Sequence, residues 1–583
     1  MAVPNQNMII AGAVGILLLS MIFVSTRFRA ADSSLSVNTL LNDVTAPALL
    51  KEHSKEFDKP QVIKVADGIY VAIGYALANS IMLEGPDGVA IVDTTESVAV
   101  AREIRKAFKK LVDKPVKAII YTHNHADHMN GALGFIDDPK NPPDVWSHKS
   151  TLPQLKRFFT TNPIIFKRGM RQFGVYNTAL VNSGIGPHLQ YHKDSVSGLV
   201  FPNRVLTKER EEFLIAGINL TLVHIPGETP DQMAVWYKEK KVLMPADDIY
   251  RAFPNLYAIR GTPSRDVRIW SQSLDKMRKL GAEHIVPSHT RPISGKKEIY
   301  DLFTDYKDAI QLIHDQTVRH LNKGLLPNEI VPLVKLPQRL IDHPFLIEFY
   351  GTVEWSVRGV FNTYLGWFSG DPVDLIPFTP KDKADRMIKL AGGVDKILEQ
   401  AKKALDDKDY QWALELSSSV YTLNTKNKQA KKLRIQSLKR LGEKQISANG
   451  RNYYMTSALE TAGLEIKPSQ KFRVDTIMKL PMYLLFEVLT LNLKAEQCDG
   501  VHKVVTFKFT DGDEPIVTME IRNNVIELSR AVPKKPDVTV TISSQLWRDV
   551  LARVRSPVQA IASGKLTVDN PKDLEQIMTL FEV

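Results

Sequence analysis

The stretch Thr122 to Gly131, THNHADHMNG, places three imidazoles and a carboxylate within six residues, at His123, His125, Asp127 and His128. Neutral imidazole nitrogens and a carboxylate oxygen are the donors of a metal site, and their crowding on one turn suits two ions better than one. A turn leaving a strand can send His123 and His125 to one side and Asp127 and His128 to the other. Two ions need more ligands, and three candidates follow later apolar runs: Glu228 in HIPGETPDQ, Asp247 in VLMPADD and His289 in VPSHTRP. The single cysteine, Cys498, excludes a thiolate site and any intrachain disulfide framework. Zinc is the ion expected on these donors, with manganese or iron suited less well.

Such a constellation has to be carried by strands that end at one edge. From about Gln61 to Pro292 short apolar or alternating runs such as IYVAIG, GVAIVD, KAIIYT, NLTLVHI and KVLMP read as strands, separated by turn signals such as Gly85-Pro86-Asp87-Gly88. Helical patterns intervene near Ser97–Leu111 and Arg265–Leu280, so this part is α/β. After Gly295 the strand signals stop. Residues 296–325, 348–368 and 383–445 read as amphipathic helices, including one helical hairpin of tetratricopeptide type. From about Pro468 a helical start (VDTIMKLPMYLLFEVL) is followed by alternating strands and closing helices, a separate α+β domain. A length of 583 residues fits this division into several domains, and 44% hydrophobic with 24% charged residues excludes a disordered chain. The net charge of +11 is spread along the sequence without a basic tract interleaved with aromatics, which argues for anionic substrates or membrane surfaces and against nucleic acid.

Met8 to Val24 is an uncharged apolar run of 17 residues, just long enough to span a bilayer. It is read as a single-pass membrane anchor over residues 1–30, with a cleaved leader as the alternative. Arg27 and Arg29 on its C-terminal flank place the catalytic body on the cytosolic side.

HxHxDH after a strand, a Pro-Gly turn, an acidic strand end and a late histidine resemble the metallo-β-lactamase superfamily over residues 61–295. Glu228 stands where most of its members place a histidine. With ADDIYRAFPNLYAIRGTPSRD, EFYGTVEWSVRGVFNTYLGWFSGDP and RNYYMTSALE, the chain resembles the alkyl sulfatases within it. The resemblance implies an αββα sandwich at 45–295, an all-α helical dimerisation domain at 296–460 and an α+β domain like sterol carrier protein 2 at 465–583. It implies a dizinc hydrolase of linear primary alkyl sulfate esters, releasing sulfate and a fatty alcohol, that acts as a homodimer. His123, His125 and Glu228 would hold one zinc, Asp127, His128 and His289 the other, and Asp247 would bridge them, although a glutamate is expected there and Asp248 competes for the role. Asp127 and Arg260 are the implied catalytic residues. Arg260, in AIRG, would hold the sulfate, with Arg265 assisting. Met482, Leu484, Leu485 and Phe486 are expected in a lipid tunnel or in the core. The competing functional readings are a dizinc hydrolase of another apolar ester or thioester, and a lipid-binding protein with a relic hydrolase domain.

Overall fold

Runs of β-branched and aliphatic residues pair into two facing sheets in the computed structural model, which describes residues 37–582 apart from 192–194, 467–470, 473–479, 513, 552–554, 556–558 and 561–562. The first sheet contains β1 (Gln61–Ala66), β2 (Ile69–Ile73), β3 (Ser80–Glu84), β4 (Val89–Val92), β5 (Val116–Ile120), β6 (Asp144–His148) and β7 (Arg204–Leu206), lying side by side in that order. Its first half is antiparallel, whereas β4 to β7 run parallel, with Val92 beside Ile120 and Ile120 beside Trp146. The second sheet contains β8 (Arg210–Ile215), β9 (Ile218–His224), β10 (Met233–Tyr237), β11 (Val242–Met244), β12 (His284–Ile285) and β13 (Ile293–Ser294), in the order β13-β12-β11-β10-β9-β8. There only β11 and β12 are parallel.

The period-2 alternation of each strand decides which residues meet. Leu220, Leu222, Met233 and Val235 face Leu83, Val92 and Ile120 of the first sheet in one core. The intervening Val223, Ala234 and Trp236 turn to the other side and pack with Trp270 and Leu274 of the helix Val267–Arg278. On the first sheet Ile91 and Ile119 alternate with the inward residues and are equally buried. Helix Val98–Lys109 hides Val98, Ala101, Ile104 and Phe108 along one stripe. The result is an αββα sandwich. β4, β5, β9, β11 and β12 all run into candidate site residues just past their C-terminal ends, the edge at which parallel strands of α/β sheets present ligands.

Helices follow. Lys296–Leu321 and Val353–Leu365 lie near the second sheet's helix core, and the expected helical hairpin is Tyr410–Leu423 with Lys428–Lys444. It does not stand alone: Val394–Asp406 packs on one side and Ala448–Ala462 on the other, with Ile397, Leu398, Leu416, Val420 and Leu433 in a shared core. Helix Thr151–Gln172 was not legible in the sequence, because Pro153 and Pro163 interrupt its pattern.

Residues 472–583 pack among themselves around a five-stranded sheet, β14 (Lys503–Phe509), β15 (Ile516–Arg522), β16 (Val525–Ser529), β17 (Val538–Ile542) and β18 (Leu566–Val568), ordered β16-β15-β14-β17-β18. Met482 and Phe486 belong to its core with Phe507 and Trp547, Leu484 is buried and Leu485 packs against that core, so this helix supplies packing.

The membrane-anchored placement is corrected. No helix among the described residues is long and apolar enough to cross a membrane. The run Met8 to Val24, on which the anchor and the cytosolic orientation rested, lies outside the described residues.

Candidate metal centre

The turn after β5 carries His123 and His125, and the single helical turn Ala126–Met129 that follows carries Asp127 and His128. Glu228 arrives on the Pro-Gly turn after β9, Asp247 on the turn after β11 and His289 after β12. These seven residues converge in two groups. His123, His125, Glu228 and Asp247 form one and Asp127, His128 and His289 the other, each with ligand atoms within 4.8 Å of one another. In the first, Glu228 Oε2 lies 3.4 Å from His123 Nε2 and 3.0 Å from His125 Nδ1. In the second, Asp127 Oδ2 lies 3.6 Å from His128 Nε2 and 3.7 Å from His289 Nε2. Asp247 Oδ2 touches both groups, 3.8 Å from His123 Nε2, 3.4 Å from His128 Nε2 and 3.1 Å from His289 Nε2.

The outer nitrogens show why the inner ones are available. His128 Nδ1 donates to Asp93 Oδ2 at 2.7 Å and His289 Nδ1 to the Leu77 carbonyl at 2.9 Å, which fixes the tautomer that leaves Nε2 with its lone pair inward. Thr122 Oγ1 donates to Asp93 Oδ2, so it accepts from His123 Nδ1 and turns that ring the same way. His125 is the exception. Its Nδ1 faces inward, and Arg260 Nη2 lies 3.1 Å from its Nε2 at the rim of the cluster.

Arg260 is half-buried, and the loop bearing it is held in place by helix Thr151–Gln172: Arg260 N donates to Gln172 Oε1 at 3.0 Å and Arg168 Nη2 to the Ile259 carbonyl at 2.7 Å. Arg265 lines a cavity beside His125 and Glu228, and its guanidinium is turned onto Glu228. Only 2% of its side chain is exposed, and Nη1 donates to Glu228 Oε1 at 2.8 Å and to the Asn255 carbonyl. The cavity, of about 150 Å³, has Pro226, Pro230, Pro263 and Ile269 among its walls.

The comparisons with known proteins agree over most of the chain. Residues 74–289 match the metallo-β-lactamase superfamily, 326–463 the alkyl sulfatase dimerisation family and 471–583 the alkyl sulfatase C-terminal family. A linear primary-alkylsulfatase of Pseudomonas sp. (strain ATCC 19151) is 34% identical over 86% of this chain and 98% of its own. The chain belongs to the alkyl sulfatase family. An alkyl/aryl-sulfatase of Saccharomyces cerevisiae is 26% identical over 89% of this chain and 82% of its own. The solved structure of the stereoselective inverting sec-alkylsulfatase Pisa1 from Pseudomonas sp. shares the fold, with a TM-score of 0.86 at 24% identity over 100% of this chain and 97% of that one. The chain is accordingly a hydrolase on the metallo-β-lactamase fold, like its alkyl sulfatase relatives.

Within this family member the donor set fits a pair of metal ions. His128 Nε2, Glu228 Oε2 and Asp247 Oδ1 are fully buried with no hydrogen-bond partner among the described residues. Orphaned buried acceptors are costly unless a cation meets their lone pairs. Burial opposes charge on Glu228, yet Arg265 and His125 hold its carboxyl well below the ordinary range, and His289 and His128 do the same for Asp247. Asp248, the competing candidate, goes the other way. Burial and the neighbouring carboxylates push it well above its ordinary value, and its Oδ1 accepts from Glu228 N at 3.1 Å and from Gln232 Nε2. It therefore serves the Pro-Gly turn. A Cβ on Gly227 would sit 2.1 Å from that oxygen, which is why the turn needs glycine there. Asp248→Asn keeps an acceptor for both donors and is expected to hold activity within about tenfold of the parent with its metal content unchanged. Loss of metal from that variant, measured by elemental analysis, would return Asp248 to the ligand set.

Two residues at the site were not singled out in the sequence. Asp93, just past β4 and held at φ 58, is wholly buried and accepts from Thr122 N, Thr122 Oγ1, His128 Nδ1 and Ser288 Oγ. Its signal was present, an acid ending the run GVAIVD, but acids often end strands. Asp231 accepts from Asn124 Nδ2 at 2.5 Å and from Thr151 Oγ1 at 2.8 Å, tying down the residue between the first two histidines.

Proposed function

We propose that this protein hydrolyses linear primary alkyl sulfate esters, adding water across the ester to release sulfate and a fatty alcohol. One observation carries the reading: an intact donor set meeting at Asp247, with Arg260 at its rim, in a chain 34% identical to a linear primary-alkylsulfatase. His123, His125 and Glu228 would hold one zinc, Asp127, His128 and His289 the second, and Asp247 would join them. Two such ions supply Lewis acidity and water of lowered pKa. The protein's own residues do the rest. Arg260 offers a fixed cation to the sulfate head, Asp93 holds the ring of His128 directly and that of His123 through Thr122, and Arg265 sets the orientation of Glu228 from behind. The match to an alkyl sulfatase dimerisation family supports a homodimer as the working form.

The apolar walls at Pro226, Pro263 and Ile269 give an alkyl tail a surface to lie on. Each methylene desolvated there is worth up to roughly 0.8 kcal/mol, so efficiency should rise up to about fourfold per carbon until the surface is filled. Sulfate release from a C4 to C14 series by the purified, metal-analysed protein tests this. A profile flat from C4 to C14 would leave only the head group recognised, and a metal-loaded protein that releases no sulfate from any member would remove the activity altogether.

A further inference from the structure

The stretch RNYYMTSALE contributes no ligand to the metal centre, yet its helix, Ala448–Ala462, is buried along most of its length. Tyr453 and Glu460 lie about two turns apart and so on one face, which meets the C-terminal end of helix Thr151–Gln172. Arg171 Nε donates to Glu460 Oε2 at 2.7 Å and Nη2 to Oε1 at 3.0 Å, a bidentate pair, with the guanidinium 5.7 Å from the centre of the Tyr453 ring. Asn452 accepts from Asn177 Nδ2 at 3.2 Å, and Gly174, at φ 61, approaches it so closely that a Cβ there would stand 2.8 Å from its Cγ. The helix end is thus seated at two places. What it carries is the loop of Arg260: Gln172, next to Arg171, accepts from Arg260 N, and Arg168 donates to the Ile259 carbonyl. Gln172 is wholly buried, and its Nε2 has no partner among the described residues. The hydrogen bond it gives Arg260 is offset by that unmet donor, so stability alone does not account for a glutamine here.

We propose that Gln172, Arg171 and Glu460 are positioning residues for sulfate recognition, fixing the base of Arg260 so that its guanidinium stands at the rim of the metal centre; this rests on the reading of Arg260 as the cation for the sulfate head given above. The arginine side chain is long and flexible, so a guanidinium 3.1 Å from His125 Nε2 keeps that place only while its backbone is held. Both peptide groups that hold it are gripped by one helical turn, Arg168 to Gln172, and that turn takes its own position from Glu460 and Asn452. Recognition of the head group therefore reaches into residues 326–463, the region that matches the alkyl sulfatase dimerisation family. A misplacement of about 1 Å at such a contact can cost on the order of 100-fold in rate, so a loosened seat shows in turnover before it shows in stability.

The test is a double-mutant cycle on the full chain, with sulfate release from dodecyl sulfate, metal content and thermal unfolding measured on each preparation. Gln172→Met and Glu460→Ala should each lower kcat/KM roughly tenfold, keep the parental metal content and unfold close to the parental temperature. Each should divide its loss between kcat and KM as Arg260→Ala does. In an Arg260→Ala background the same two substitutions should change efficiency by less than about twofold, because the group they position is gone. Either variant carries the cycle by itself, so failure of one to fold leaves the other to decide it. Parental efficiency in a folded single variant, or the same tenfold loss with and without Arg260, overturns the inference and makes these residues supports of the fold. Parental efficiency in Arg260→Ala itself is a different result: the sulfate reading fails first, and the positioning role falls with it.

Discussion

Asp247→Ala should lower sulfate release from dodecyl sulfate by roughly three orders of magnitude or more and leave fewer than two metal ions per chain. Asp247 Oδ2 is the carboxylate oxygen that reaches imidazoles of both groups, at 3.8, 3.4 and 3.1 Å. Without it His123, His128 and His289 remain buried, but nothing anionic links their two groups, so the positions of two cations cease to depend on each other. The neighbouring carboxylate cannot substitute, because Asp248 is committed to Glu228 N and Gln232. Elemental analysis and kinetics on the same preparation decide it. An alanine variant that binds two ions and turns over like the parent would mean that Asp247 is not a ligand.

Arg260→Ala should cost about 2–4 kcal/mol of transition-state stabilisation, a loss in kcat/KM of roughly 30- to 1000-fold, as expected for one charge-assisted contact in a partly dry site. The substitution is clean. The loop is gripped through the Ile259 carbonyl and the Arg260 amide, so it keeps its place when the guanidinium is removed. Lysine at this position should recover part of the loss, since it restores the charge without the planar fork. Separate kcat and KM values show whether the contact acts mainly in the ground state or in the transition state. Parental efficiency in Arg260→Ala would move sulfate recognition elsewhere.

The candidate residues that converge could be picked out in the sequence because each follows an apolar strand, and strand ends are where an α/β sandwich gathers side chains. The first four donors are neighbours in sequence; Glu228, Asp247 and His289 announced themselves through the turns that carry them. Direction was not legible. Nothing in the five-residue spacing from Arg260 to Arg265 says that one guanidinium stays at the rim while the other turns back onto Glu228, because loop geometry decides that. The choice between Asp247 and Asp248 likewise needed the backbone, which sets the two adjacent carboxylates on opposite duties. The helical half was readable as stripes, yet its periodicity could not show that Leu365, Trp367 and Ile376 are left outside. Nor could it show that Arg451 lies buried, with Nη1 donating to the Thr45 carbonyl at 2.7 Å and to the Gly442 carbonyl at 3.2 Å, well within the folded body.

Every candidate ligand at the centre is a nitrogen or an oxygen, and the one thiol of the chain, Cys498, is buried in the C-terminal core. Such a donor set has no soft sulfur with which to single out zinc, and first-row divalent ions differ on it mainly in affinity order and preferred geometry. Selection of the metal therefore rests on the geometry of the site together with the ions its surroundings supply. Preparations from media enriched in manganese, cobalt or zinc should differ in metal content while sharing one fold, and a given batch would record the cell's supply. With no thiolate among the candidate ligands, none of them can be lost to thiol alkylation or disulfide formation.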